Sequence, residues 1–414
     1  MQARVKPICT MRLRLCAMMF LQFFVWGAWF VTLGTFMASN LRASGEQTGM
    51  AFATQSWGAI AAPFFIGLIA DRFFNAERIL GILHLVGAVM LYCMYASADF
   101  ASFYPAALGY MIAYMPTLAL VNAVAFRQLD DTSAEFPAIR MWGTIGWITA
   151  GLCISFVFAW DDAASLAAGE LRNTFALAAF ASLLLGAYSF TLPATPPLGT
   201  EVSGIGERLG INALGLLKER SFAVFFCSAI LICVPLAFYY QNANLFLVES
   251  GVANPTGKMT IGQISEAVFI LLLPLFFRRF GFRITLLVGM FAWSLRYTLF
   301  AVGNSGDSLW MLLVGIALHG VCYDFFFVAG QVYTDARAGE RFRASAQGLI
   351  TLATYGIGMR IGFWVAGIVS DRYTLASGHD WRQIWLFPAG FALLVAVAFL
   401  LLFRERPETG EARP

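Results

Sequence analysis

The chain has 414 residues, of which 59% are hydrophobic and 12% charged, and a formal net charge of +3. A soluble domain is nearer half apolar and a quarter charged, so this composition excludes the water-soluble classes and reads as a multi-spanning membrane protein. The slight positive charge belongs to loops and is no nucleic-acid footprint.

A membrane-spanning helix needs about 20 apolar residues. Twelve stretches approach that length: residues 15–37, 50–70, 79–96, 104–126, 139–159, 174–192, 222–248, 261–277, 284–302, 309–332, 344–370 and 385–403. Arg4, Lys6, Arg12 and Arg14 precede the first span, and no small-residue cleavage pattern follows it, so a retained span is expected in place of a cleaved signal. In span one, Gln22, Trp26 and Trp29 stand at i, i+4, i+7 and share a stripe, which either lines a cavity or forms an aromatic belt. The loop after span two reads Gly67-Leu-Ile-Ala-Asp71-Arg72. Its glycine permits close helix approach, and its Asp–Arg pair can bridge helix ends in one gate state. Span four carries Asn122 below Tyr114-Met-Pro-Thr117; an amide there either faces a cavity or links helices.

Span five opens with Phe136-Pro-Ala-Ile-Arg-Met-Trp-Gly-Thr-Ile-Gly-Trp147. A cation at membrane depth costs roughly 2.5 to 3.5 kcal/mol on insertion scales, so Arg140 either faces a partner or watery cavity, or snorkels to the headgroups. Arg140, Thr144 and Trp147 share one helix face and offer a charge, a hydroxyl and an aromatic plane, a set that suits a small polar ligand with a flat ring. The proline-bearing segment 193–220 divides the spans six and six. The expected parts are an N-terminal bundle (1–192), a linker (193–220) and a C-terminal bundle (221–414).

Span seven is unusually polar: Tyr239, Tyr240, Gln241 and Asn244 supply donors and acceptors, some of which must face the interior because lipid cannot satisfy them. Acids inside spans are few, essentially Glu266 and Asp324. Gln263 shares a face with Glu266 at i, i+3; Asp324 follows His319 and Tyr323. Intramembrane acids are candidates for function, here for carrying a proton across, with Asp324 favoured as proton carrier and Glu266 as hydroxyl binder. The alternative is a structural ion pair, Glu266 with Arg296 or Asp324 with Arg360. His319 is either packed and hydrogen-bonded or part of the site. A second Gly-x-x-x-Asp-Arg copy, Gly367 to Arg372, falls in the loop before the last span and is assigned no gating role.

Basic residues set the orientation. Placing both termini and alternate loops on one side puts nineteen Lys/Arg there and five opposite, with Arg140, Arg296 and Arg360 inside spans, so both termini are expected in the cytoplasm. The seven cysteines form no Cys-x-x-Cys pair and read as small hydrophobes. No hydrolase triad, phosphate loop or metal spacing emerges, so neither an enzyme, a cofactor nor a metal site is expected.

Six plus six spans with a cytoplasmic linker is the plan of the major facilitator superfamily, and Gly67, Asp71 and Arg72 resemble its gating-loop signature. Phe20 to Trp29, Tyr114 to Thr117, Phe136 to Gly146, Gly262-Gln-Ile-Ser-Glu266, Tyr323-Asp-Phe325 and Arg343-Ala-Ser-Ala-Gln-Gly348 resemble the nucleoside:proton symporter family, and most of all its branch of inferred nucleoside transporters. The resemblance implies an all-α carrier with alternating access and a substrate site made by Arg140, Thr144 and Trp147, by Gln263 and Glu266, and by Tyr323 and Asp324. Against the family's pattern, His319 stands where the characterised permease has tyrosine, Trp147 and Tyr323 where it has phenylalanine, and Ala237 and Tyr240 where it has glutamine and asparagine. Proton-coupled nucleoside uptake across the inner membrane is expected, by a monomer among lipids with no nucleic-acid partner. The alternative is a proton-coupled sugar or polyol carrier.

Overall fold

The computed structural model describes residues 8–65, 74–196 and 211–404. Gly67, Asp71 and Arg72 of the expected gating loop lie outside the described residues, as do residues 197–210 of the linker.

Backbone in lipid must satisfy its hydrogen bonds within the chain, and long apolar stretches do so as helices. The first seven are α1 (Ile8–Phe30, continued by Leu33–Ser39), α2 (Gly45–Phe65), α3 (Ala76–Ala96), α4 (Phe100–Phe126), α5 (Thr132–Leu152, then a π-turn at Cys153–Val157), α6 (Asn173–Ser189) and α7 (Arg220–Glu249). The stretch Pro255–Val302 breaks at Gly281 (φ 74°, ψ 176°) into α8, residues 255–280, and α9, residues 282–302. Next, α10 runs through Leu309–Ala317, His319–Tyr323 and a π-turn at Asp324–Val328, and on as far as Gly339 (φ 64°, ψ 175°). Beyond that glycine, α11 passes through a π-turn at Leu352–Gly358 into Met359–Arg372. A small hairpin, β1 (Thr374–Leu375) with β2 (Gly378–His379), precedes α12 (Trp381–Leu402). Both breaks need positive φ, which glycine adopts without the Cβ penalty of other residues. The described residues thus form the expected twelve rods.

α1 packs on α5 and α6, α3 on α4 and α6, and α2 on α4; α7 packs on α11 and α12, and the α8–α9 pair on α10 and α12. Buried aromatics fill each group: Trp29 meets Tyr110 and Phe175 in the first, while Trp385 stacks on Tyr297 in the second. The groups meet along α1–α7, α2–α11 and α5–α8. Of the cysteines, Cys233 and Cys322 are buried, whereas Cys93 and Cys227 face outward.

At the end of the bundle far from the chain start, the groups exchange helix caps. The first amides of a helix have no partner within it. The carboxylate of Asp371, at the end of α11, accepts from Gly45 N (2.5 Å) and Glu46 N (2.8 Å), the first amides of α2. In the opposite sense, Asp161, beyond α5, accepts from Thr256 N of α8 at 3.0 Å, and the Ser155 hydroxyl accepts from Gly257 N at 2.7 Å. Gly45 and Gly367 make this approach possible, because a Cβ on Gly45 would come within 2.5 Å of the Gly367 carbonyl oxygen. Residues 367–372, assigned no gating role from the sequence, thus lie at a contact between the two groups. The expected loop is corrected, because residues 367–372 form the last turns of α11; what the chain alone did not reveal is that the start of α2 lies against them.

An N-cap contributes about 1 kcal/mol, so Asp371→Ala should shift any closed–open equilibrium at this end roughly fivefold toward open. Spin labels at the exposed positions Met50 and Leu375, replaced by cysteine, read that separation. A longer-distance population is expected to grow in the variant; an unchanged distribution would show that the cap contributes nothing to closure.

Candidate functional site

Between the two groups lies a cavity of about 780 Å³. It runs from mid-bundle toward the end at which the chain starts, reaching Pro63 late in α2, Asn122 late in α4 and the exposed Gln331 and Thr351 at its mouth. At the other end, the Asp161 and Asp371 caps shut it off. The volume lies within the range of small-molecule sites, about 300 to 1,000 Å³.

The first group supplies the aromatic and cationic wall. Arg140, Thr144 and Trp147 line the cavity from α5, together with Phe23 and Trp26 from α1. The Arg140 guanidinium lies 4.0 Å from the centre of the Phe23 ring and makes no ion pair among the described residues. Stacked there inside the cavity, two turns into α5, it is not snorkelling outward. Trp26 meets Trp147 edge to face at 5.5 Å and Tyr114 at the same separation. Such aromatic contacts hold both indoles in place with roughly 0.5 to 1.5 kcal/mol each beyond area burial.

The second group supplies the hydrogen-bonding wall. Tyr240 comes from α7, Gln263 and Glu266 from α8, His319 and Tyr323 from α10, and Tyr355 from α11. The Tyr323 and Tyr355 hydroxyls are 2.7 Å apart. His319 Nε2 stands 4.0 Å from Glu266 Oε2. Neither alternative ion pair forms among the described residues: Arg296 is hydrogen-bonded to His319, and Arg360 lies over Trp57 at 4.7 Å.

Five residues expected in the site lie off the cavity wall. Gln22 is fully buried and bridges the first group: its Nε2 donates to Thr117 at 2.7 Å, and its Oε1 accepts from His84 Nε2 at 2.8 Å. The α1 stripe at 22 and 29 points into that group, and the cavity stripe is the neighbouring one, Phe23, Trp26 and Phe30. Asn244 is one turn nearer the closed end than Tyr240, where it accepts from Thr35 at 2.6 Å and donates to Thr256 at 3.0 Å. Gln241 is about 100° round α7 and donates to the Gly45 carbonyl at 3.3 Å. Tyr239 points the other way, under Arg296. Asp324 is also about 100° round from Tyr323, with 0% exposure and no hydrogen-bond partner for either oxygen among the described residues.

Sequence reasoning passed over Gln55, Tyr355 and Gln331, all in the wall. Gln55, Ala59 and Ala62 at i, i+4, i+7 are a legible small-and-polar stripe on α2. The turn of Tyr355 into the cavity depends on the π-turn of α11, which no periodicity announces.

The bridge at Gln22 is structural. Gln22→Leu would strand the buried polar atoms of His84 and Thr117, at a cost of about 2 kcal/mol. The purified variant is expected to melt measurably lower than the parent; an equal melting point would mean that the bridge adds no stability.

Residues 9–408 match the Nucleoside H+ symporter family. YegT of Escherichia coli, named as a nucleoside transporter by inference, is 39% identical over 400 residues, covering 95% of this chain and 93% of its own. The xanthosine permease of Escherichia coli is 34% identical over 408 residues, covering 95% of this chain and 96% of the permease. Two crystal structures of the nucleoside transporter NupG, one of a single-residue variant, superpose with TM-scores of 0.89 and 0.85 at 30% and 31% identity. They cover 95% and 96% of this chain and 100% of their own.

Proposed function

The chain belongs to the nucleoside H+ symporter family, and we propose that it takes up nucleosides with protons across the inner membrane by alternating access between residues 1–192 and 221–414. The observation that carries this reading is the asymmetry of the cavity: indoles and a guanidinium face it from one half, and amide, carboxyl, imidazole and phenol groups from the other. A nucleobase has flat faces that suit Trp26 and Trp147, and a ribose has hydroxyls that suit Gln263 and Glu266. A ligand that touches both walls draws the halves together, which is the step alternating access needs.

Both termini lie in the cytoplasm on this reading, so the cavity mouth faces the cytoplasm and the capped end faces outward. The protein works as a monomer within lipid. A proton moving down 100 mV supplies about 2.3 kcal/mol, enough for roughly a fiftyfold gradient of substrate. Glu266, at the cavity, binds the ribose and sits where protons arrive. Asp324 holds the coupled proton in the dry interior, where an ionised carboxylate would have nothing to offset its lost hydration.

Uptake of radiolabelled uridine and adenosine into proteoliposomes tests this directly. Truncating an indole that stacks on the base should weaken binding by about tenfold or more, roughly 1.4 kcal/mol. Trp147→Ala should show that loss while Trp147→Phe retains uptake, and free ribose should compete poorly. If a free sugar raises the melting temperature while no nucleoside does, the chain is a sugar carrier instead.

For the proton, Asp324→Asn is expected to abolish accumulation driven by an imposed pH gradient and leave counterflow measurable. Normal accumulation in that variant would move the coupled proton to another group, Glu266 first.

A further inference from the structure

Arg296 on α9 is 0% exposed, yet no carboxylate pairs with it among the described residues. Its guanidinium lies 3.5 Å from the centre of the Tyr239 ring, and its Nη1 is 3.1 Å from His319 Nδ1. Such a cation is expensive to bury and is kept for a reason. Its immediate polar neighbour is a histidine on the cavity wall.

The contact dictates the chemistry of that histidine. A guanidinium has only N–H donors and stays protonated in proteins. His319 Nδ1 must therefore accept, which leaves the ring proton on Nε2. That nitrogen points toward Glu266, at 4.0 Å, and both side chains line the cavity. The ring itself is clamped, stacked on Tyr239 with centroids 5.0 Å apart. A second proton on Nδ1 would have to break the Arg296 bond and sit beside a fixed positive charge. The groups facing the ring are Arg296 from α9, Glu266 from α8, Tyr239 from α7 and Tyr323 from its own helix.

We propose that Arg296 is a positioning residue that fixes His319 as a neutral Nε2–H donor aimed into the cavity, where it serves a substrate oxygen beside Glu266 and does not carry the coupled proton. The substrate part rests on the nucleoside reading given above; the tautomer does not. The donor is specificity-determining, because a buried N–H rejects a ligand that offers it no acceptor. Within a nucleoside, the matching acceptors are a ribose hydroxyl and a base carbonyl.

Nitrogen NMR of the full-length protein labelled with ¹⁵N-histidine reads the tautomer directly. The chain has three histidines, and His319→Gln assigns the signal. The expected result is a protonated Nε2 and bare Nδ1 throughout about pH 5 to 8, the window in which histidine ordinarily titrates. In Arg296→Met, the other tautomer or the imidazolium should appear as the pH falls. A wild-type Nδ1–H form, a wild-type imidazolium in that window, or a Met variant that behaves as wild type would each overturn the proposal. Should Arg296→Met fail to fold, the wild-type spectrum decides alone.

The donor role has its own readout. Uridine affinity should fall about tenfold or more in His319→Leu and stay within about threefold in His319→Gln, which keeps an N–H. Equal affinities in all three would overturn the donor role. A wild type that shows the Nε2–H form but binds no nucleoside would reject the nucleoside reading and leave the Arg296–His319 geometry standing.

Discussion

Two carboxylates hold the far end of this protein shut, and the rest of the site depends on them. Asp371 caps α2 from the opposite group, and Asp161 caps α8 in return. Because the exchange runs both ways, neither group can tilt from the other without exposing the first amides of a helix. Each cap is nevertheless worth only about 1 kcal/mol. That is the right order for a gate, since a ligand can move an equilibrium only by its differential affinity for the two states. A closure made of a large apolar interface would hold more firmly and would answer less readily to a small solute.

The polar residues inside the rods divide by a physical rule. Lipid offers no hydrogen bonds, so a polar group in a rod is expected to find a partner in the protein or face the cavity; Asp324, which does neither among the described residues, stands apart. Gln22, His84, Ser182 and Thr117 satisfy one another and fasten α1, α3, α4 and α6 together. Thr35, Asn244 and Thr256 do the same across the closed end. Arg140, Gln263 and Glu266 remain on the cavity wall. Polarity in a span is therefore evidence of one of two jobs, and only geometry says which.

This rule explains what could be read from the chain. The twelve rods, and the breaks near Gly281 and Gly339, follow from hydropathy and basic loops, because the bilayer sets their length. Arg140, Thr144 and Trp147 were legible as one face because α5 stays regular through them. The α7 run misled because Tyr239, Tyr240, Gln241 and Asn244 look alike in sequence and point three ways in space. Their sorting depends on rods distant in the chain: α9 beneath Tyr239, α2 beside Gln241 and α8 beside Asn244. The Asp371 cap was hidden for the same reason, since 325 residues separate it from Glu46.

The two acids inside the rods stand in opposite surroundings. Glu266 faces the cavity, within 4.0 Å of His319 and across from Arg140, where water and solute can reach it. Asp324 is one residue beyond a cavity-lining tyrosine, yet it is dry and unpartnered among the described residues. It begins the π-turn Asp324–Val328, a local change of helical pitch of the kind found at functional sites. A regular helix would also turn residue 324 away from residue 323, so the bulge is not needed to hide the acid. The π-turn stands between the cavity face at Tyr323 and the stretch of α10 that leads to the mouth. In the proposed coupling, Asp324 meets one demand by its position alone: its charge is costly while the interior stays dry.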